Sequence, residues 1–272
     1  MAFLEVHGVS KSFVQQGRPV SVLHRLHFGV EEGEFVCVIG YSGSGKTTLL
    51  SLLAGLLLPD SGEIRLEGTL VDGPHPDRGL VFQNYSLLPW MTVYENVALA
   101  VDAVARQDSP AQRHARTEHY IRLVKLGDAM QKRPAELSGG MRQRVAVARG
   151  LALESRVLLL DEPFRALDAL TRATLQDELS RIWVENRRTM VMVTNDVEEA
   201  ILLADRIFPL TPGPGATLGP EISVPIPRPR VSRQLSLDPQ YQRVRQDITD
   251  FLVAQHQASK RSFSHPVVAE VW

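Results

Sequence analysis

Phe35-Val36-Cys37-Val38-Ile39-Gly40-Tyr41-Ser42-Gly43-Ser44-Gly45-Lys46-Thr47-Thr48 is the stretch on which the fold of this chain turns. Its first five residues are apolar without a break, the pattern of a strand buried on both faces of a parallel sheet. The strand then feeds Gly40-Tyr41-Ser42-Gly43-Ser44-Gly45-Lys46-Thr47, which matches G-x-x-x-x-G-K-[ST]. Glycines let such a loop wrap so closely that successive backbone N–H groups point inward at phosphate oxygens. Residues 47–58 have helical spacing and are stopped by Pro59-Asp60-Ser61-Gly62. The helix presents its positive end to the same anion. Gly40, Tyr41, Ser42, Gly43, Ser44, Gly45, Lys46, Thr47 and Thr48 are therefore the expected phosphate cradle of a nucleotide site. Lys46 is expected to reach the β and γ phosphates, and the Thr47 hydroxyl to ligate magnesium.

Working outward, Arg156-Val157-Leu158-Leu159-Leu160-Asp161-Glu162 is a second buried strand, and it ends in two acids. Alone, those carboxylates would read as solvated strand-end residues. Beside the cradle they form the pair that nucleotide hydrolysis needs, with Asp161 holding magnesium through its water shell and Glu162 orienting and deprotonating the attacking water. Further strands are predicted at 4–9, 20–30, 63–66, 79–82 and 190–193, and a helix at 170–186. Residues 86–153 read as mostly helical, with the polar part of that region, 106–119, on solvent. This β–loop–α alternation predicts a parallel sheet with crossover helices. Past residue 211 the composition shifts. Residues 211–229 are dense in Pro and Gly and predict a linker or surface meander. Tyr241, Val244, Ile248 and Leu252 then recur at the spacing of an amphipathic helix packed on the main domain, and the last dozen residues are expected to be disordered.

The 272 residues are enough for one large α/β domain with an appendage. A formal net charge of −1 argues against a dedicated nucleic-acid binder. The single cysteine, Cys37, rules out an internal disulfide framework and lies in an apolar run, where a thiol is buried and inert. His24 and His27 fall in a predicted strand, where their spacing would put them on opposite faces and so disfavours a zinc pair. The N-terminal Met1-Ala2-Phe3-Leu4-Glu5 carries no leader pattern. The longest apolar stretch, 49–58, is roughly half of what a bilayer span requires. A membrane role is thus expected to be played from the surface, by a soluble chain docked on another protein.

Leu137-Ser138-Gly139-Gly140-Met141-Arg142-Gln143-Arg144 resembles the signature motif of ATP-binding cassette (ABC) proteins. With it, Gln83 resembles the Q-loop glutamine, Ala166-Leu167-Asp168 the D-loop, and Phe13 the aromatic on which the family stacks adenine. The resemblance covers roughly residues 3–210 in the family's order. It implies an α/β P-loop NTPase cassette with a RecA-like core, an antiparallel β subdomain and an α-helical signature subdomain near 86–153, followed by a C-terminal extension over 211–272. It also implies ATP and Mg2+ as ligands, with Gln83 sensing magnesium and the attacking water, and Asp168 at the nucleotide. Two such domains would close head to tail, so that Ser138, Gly139 and Gly140 cap the γ-phosphate held by a partner's cradle. The implied partners are integral membrane permease subunits, a second ATPase subunit in a homo- or heterodimer, and, indirectly, a solute-binding protein. The implied location is the cytoplasmic face of the inner membrane.

Residues 73–78, 81–90 and 200–207 resemble ATPase subunits of nitrate, cyanate, bicarbonate, sulfonate and taurine importers, the nitrate type above all. Two positions depart from the family pattern. Where most members carry a switch histidine, Val193-Thr194 is followed by Asn195, which donates a hydrogen bond but carries no proton charge. Slowed or asymmetric hydrolysis is the expectation, in a heterodimer whose partner keeps the histidine or in a regulatory subunit that binds ATP and hydrolyses it weakly. Arg165 stands where glycine is usual and reads as a surface side chain, or as a cation that tunes Glu162. A role in translation or DNA repair remains as an alternative, though it would normally need two cassettes or a long coiled coil, and this chain shows neither.

Overall fold

The computed structural model describes residues 2–165 and 167–263. Three strands that are apolar or uncharged along nearly their whole length form the centre: β3 (Phe35–Ile39), β7 (Val157–Asp161) and β8 (Thr189–Thr194), with every residue buried. They lie in a six-stranded sheet with β6 (Arg78–Val81), β9 (Arg206–Pro209) and β10 (Ile222–Ser223), in the order β10-β9-β3-β8-β7-β6. All neighbouring pairs are parallel except β9 with β10. The period of two along each strand divides the core. Phe35, Cys37 and Ile39 join Leu158, Leu160, Met190 and Met192 on one face, and Val36 and Val38 join Val157, Leu159, Val191 and Val193 on the other. Cys37 is fully buried and burial pushes its thiol well up, so it is inert.

An antiparallel sheet covers the second face. It comprises β1 (Leu4–Gln15), β2 (Arg18–Val30), β4 (Ser61–Leu66) and β5 (Thr69–Leu70), in the order β2-β1-β4-β5. The first hairpin runs six residues further along β1 than the predicted strand at 4–9. Its register slips near Arg25, whose φ of 48° marks a bulge in β2. That extra residue leaves His24 and His27 both exposed, rather than on opposite faces as a regular strand would place them. His27 Nδ1 accepts from the Gly8 N–H, and among the described residues no group of three or more His, Cys, Asp or Glu side chains could hold a metal.

Between the sheets lies α1 (Lys46–Leu53). It stops five residues before the predicted end because Gly55 turns the chain at φ +75°, where a Cβ would collide with the Gly73 carbonyl. The helical region comprises α2 (Val93–Val104), α3 (Pro110–Leu123) and α4 (Gly139–Ala152), the first two opened by capping boxes at Thr92/Glu95 and Ser109/Gln112. α5 (Ala169–Asn186) and α6 (Val197–Leu203) complete the crossovers. Among the described residues no helix is long and apolar enough to cross a membrane.

Residues 211–229 are stapled to this body rather than strung loosely from it. Val224 and Ile226 are buried, and Ala216 bridges to Leu23. The buried Arg230 guanidinium donates to the carbonyls of Ile201 and Ala204 at the end of α6 and to Val224 O, satisfying acceptors that a helix terminus leaves open. Arg228 lies 4.0 Å over the Trp183 ring and donates to Asp205. After the short α7 (Ser232–Leu235), α8 (Pro239–Phe263) buries Tyr241, Val244, Ile248 and Leu252, the spaced set read from the sequence. Residues 261–263 of the tail expected to be disordered belong to α8. Its remainder, 264–272, and Ala166 of the D-loop resemblance lie outside the described residues.

Candidate functional site

Parallel pairing aligns the C-terminal ends of the central strands. Ile39 lies opposite Thr194 and Asp161 opposite Val193, so the segments starting at Gly40, Glu162 and Asn195 leave the sheet along one edge. At that edge the loop 40–45 bends into α1. Gly45 stands at φ +93°, and a Cβ there would come within 2.9 Å of both Val22 and Leu23, so only glycine fits. α1 has no side-chain cap and no acid in its first turn, whereas Thr92, Ser109, Ser138, Asp168 and Asp196 cap the five helices α2 to α6. The uncapped end of α1 opens on a cleft of about 290 Å³, lined by Ser42, Gly43, Gly45, Lys46, Thr47 and Thr48 of the loop and helix and by Val22, Gln83, Glu162 and Arg165.

Lys46 is 4% exposed. Its ammonium donates to Gly40 O at 2.8 Å and Tyr41 O at 3.0 Å and pairs with Glu162 Oε1 at 3.2 Å. Those contacts use all three donors of the side chain. The Thr47 hydroxyl donates to Asp161 Oδ1 at 3.2 Å. Burial pushes the Asp161 carboxyl above its ordinary range and the neighbouring Glu162 charge adds to that, while the Thr47 bond opposes it. Glu162 itself adopts φ +41°, a left-handed conformation unusual for a residue with a side chain, and its N–H is tied to Val193 O at 3.0 Å. That turn folds the chain back so that Arg165 Nη1 reaches Glu162 Oε2 at 2.8 Å. Arg165 is therefore a partner of the candidate base, not an idle surface side chain.

The donor set fits an anionic ligand with a hard cation. Uncapped amides, a buried ammonium and the buried Ser44 hydroxyl, which has no hydrogen-bond partner, suit phosphate oxygens. The Thr47 hydroxyl, the Asp161 carboxylate and the Gln83 amide are all oxygen donors of the kind Mg2+ takes.

Other expected site residues stand apart. Phe13 faces Val20 across the first hairpin, more than a third exposed with Lys11 above its ring, and does not line the cleft. Ser138 caps α4 by accepting from Met141 N at 3.2 Å, and a Cβ on Gly140 would lie 2.3 Å from a Thr171 methyl. At this helix tip Ser138 is exposed, Gly139 half-buried and Gly140 buried, and none of the three lines this chain's own cradle. Asp168 caps α5 through Thr171 N, and the Thr171 hydroxyl together with that N–H holds its carboxyl low. Asn195 is exposed just past β8. Tyr41 belongs to the cradle by its carbonyl, while its ring turns away toward α8. The sequence reading missed Val22, which lines the cleft, and Arg149, whose guanidinium donates to Tyr85 O and Ser86 O just past Gln83. Tyr85 and Ser86 both have positive φ, so Arg149 braces a strained turn. Only the placement of Arg149 in the QR-bearing helix α4 hinted at it.

The ABC transporter family model matches residues 23–165. The bicarbonate transport ATP-binding protein CmpC of Synechococcus elongatus is 51% identical over 259 residues, covering 95% of this chain but only 39% of CmpC. The bicarbonate transport ATP-binding protein CmpD of the same organism is 48% identical, with 92% of this chain and 90% of CmpD covered. The nitrate transport protein NasD of Klebsiella oxytoca is 49% identical over 92% of this chain and 95% of its own length. Among solved structures, a dimeric bacterial ABC transporter cassette, MJ0796, superposes with a TM-score of 0.74 at 30% identity, over 81% of this chain and 98% of that one. The same cassette in a post-hydrolysis dimer bound to ADP and Pi gives 0.73.

Proposed function

The chain belongs to the ABC transporter family, and from that premise we propose that it binds and hydrolyses ATP as the motor subunit of an importer for a small anion of the bicarbonate and nitrate class. One observation carries the reading: the buried Lys46 ammonium is shared between cradle carbonyls and Glu162, beside the Thr47–Asp161 pair. The cradle amides and Lys46 bind the phosphates. Lys46 keeps its two carbonyl contacts and turns its third donor from Glu162 to the nucleotide. Glu162 Oε1, so released, accepts a proton from water as the water oxygen attacks the terminal phosphorus. The bond to the bridging oxygen breaks, ADP and phosphate leave, and the proton passes to solvent. Thr47, Asp161 and Gln83 would hold Mg2+, which supplies charge neutralisation across the phosphates.

The helix tip at Ser138, Gly139 and Gly140, where Ser138 is exposed and which lies outside the lining of this chain's own cradle, supports completion of the site by a second ATPase subunit. The dimeric cassettes it resembles support the same arrangement. Binding would favour the closed pair and product release the open one, a population shift passed to permease subunits. The location that follows is peripheral, on the cytoplasmic face of the inner membrane, with a solute-binding protein delivering cargo to the permease. The names of the relatives support bicarbonate or nitrate as that cargo. In this reading residues 1–210 are the cassette and 211–272 an extension of it.

Phosphate release by the chain and by Glu162→Gln, assayed with Mg-ATP, tests the hydrolytic role. The variant is expected to lose about 10²–10³-fold in rate. A wild type no faster than Glu162→Gln would reduce the chain to an ATP binder. Uptake of labelled nitrate or bicarbonate by vesicles carrying the assembled complex assigns the cargo.

A further inference from the structure

The extension reaches into the cradle at one residue. Tyr41 is the second residue of the phosphate loop, and its hydroxyl donates to Leu252 O of α8 at 3.3 Å, across 211 positions of sequence. Its ring stacks on the His256 ring at 4.8 Å between centroids and 30° between planes. The carbonyl of the same residue accepts from Lys46 Nζ at 3.0 Å and from Ser44 N at 3.2 Å. One peptide unit thus fixes both the turn of the loop and the seat of the lysine, while its side chain is clasped by a distant helix. That helix is itself held: Ile248 is fully buried, and the Phe251 ring lies where any Cβ on Gly219 would have to go. The segment leading to it also abuts the loop, since a Cβ on Gly213 would stand 3.3 Å from Gly43 O.

We infer that Tyr41 is a positioning residue through which α8 sets the grip of the cradle on Mg-ATP. The inference rests on the nucleotide reading above. Lys46 has three donors, and two stay on Gly40 O and Tyr41 O. Where those carbonyls sit decides where the third donor points. A side chain clamped at both its edge and its face limits rotation of the Tyr41 peptide, so the loop meets the phosphates already shaped and loses less freedom on binding. Released from α8, the same loop must be ordered by the nucleotide itself, and affinity falls.

The test is a calorimetric titration of the full chain with Mg-ATP, with melting followed in parallel. Tyr41→Ala and His256→Ala are each expected to bind about threefold to tenfold more weakly, the range an aromatic pair supplies. The double variant should bind no more weakly than the weaker single one, because both remove the same clasp. His256→Phe, which keeps a ring on Tyr41, should recover the wild-type affinity. Gln246→Ala, on the exposed side of α8, should match the wild type throughout. Unchanged affinity in His256→Ala overturns the inference, as do additive losses in the double variant or failure of His256→Phe to recover. A wild type that binds no Mg-ATP removes the nucleotide reading, and this inference with it. Binding by the wild type with no response to these variants removes the inference alone.

Discussion

Two cations meet on the Glu162 carboxylate, and their settings differ. Lys46 is buried with it, whereas Arg165 approaches from a side chain nearly half exposed. Water screens the second pair, so its weight is about 1 kcal/mol or less. Still, Arg165 occupies Oε2 of the group that must accept a proton. Arg165→Ala is therefore expected to raise the rate of phosphate release at saturating Mg-ATP by about two- to fivefold, and an unchanged or lower rate would show that the pair does not restrain the base. In the reading proposed above Asn195 would assist hydrolysis rather than restrain it, as a donor without charge. In the assembled complex Asn195→His should speed hydrolysis, by up to about tenfold, since a donor already remains and full loss of one costs about 10²–10³. An equal or slower rate would leave the asparagine competent. Lys46, Thr47, Asp161 and Glu162 were legible in the sequence because strand, loop and helix fix their relative places. The Arg165 contact was not, because it depends on the left-handed turn at Glu162, which no residue type announces.

Elements were legible where burial and period agree. The uninterrupted apolar runs of β3 and β7 and the spaced set of α8 are direct consequences of which faces are covered. The reading failed where a local contact outranked the pattern. Gly55 ends α1 against the Gly73 backbone although apolar residues continue, and the bulge at Arg25 reverses the facing of a histidine. The Pro-rich stretch reads as a linker or surface meander because proline marks irregular chain, and composition does not announce what anchors it, Arg228 and Arg230 feeding the end of α6 and Asp205. α6 also contains a testable electrostatic cost. Burial pushes the Glu199 carboxyl up to about 7, with Gln176 and Thr194 bonding it and the Asp196 charge opposing ionisation. The folded chain binds that proton more tightly than the unfolded one, so the stabilisation is complete below about pH 4.5 and is lost as pH rises through 7. Glu199→Gln should remove this slope and raise stability at pH 8 by on the order of 3 kcal/mol. Urea unfolding at pH 5 and pH 8 checks it, and an undiminished slope in the variant would place the titration elsewhere.

At the scale of the molecule, the chain presents half of a device in the reading proposed above. One edge of the parallel sheet gathers the phosphate-binding loop, the two acids and Gln83, while the signature tip projects elsewhere, toward a second subunit in the reading proposed above. α8 ties the extension to the cradle, so the segment past residue 210 is mechanically continuous with the site it follows. All of this depends on the cleft at the start of α1 gripping a triphosphate through Lys46. Titration of the purified full-length chain with ATP, with and without Mg2+, beside Lys46→Ala, tests that claim most directly. The expected result is saturable binding that needs Mg2+ and weakens by about 10–100-fold in the variant, the loss of one charge-assisted contact. Equal affinity in wild type and Lys46→Ala would contradict it.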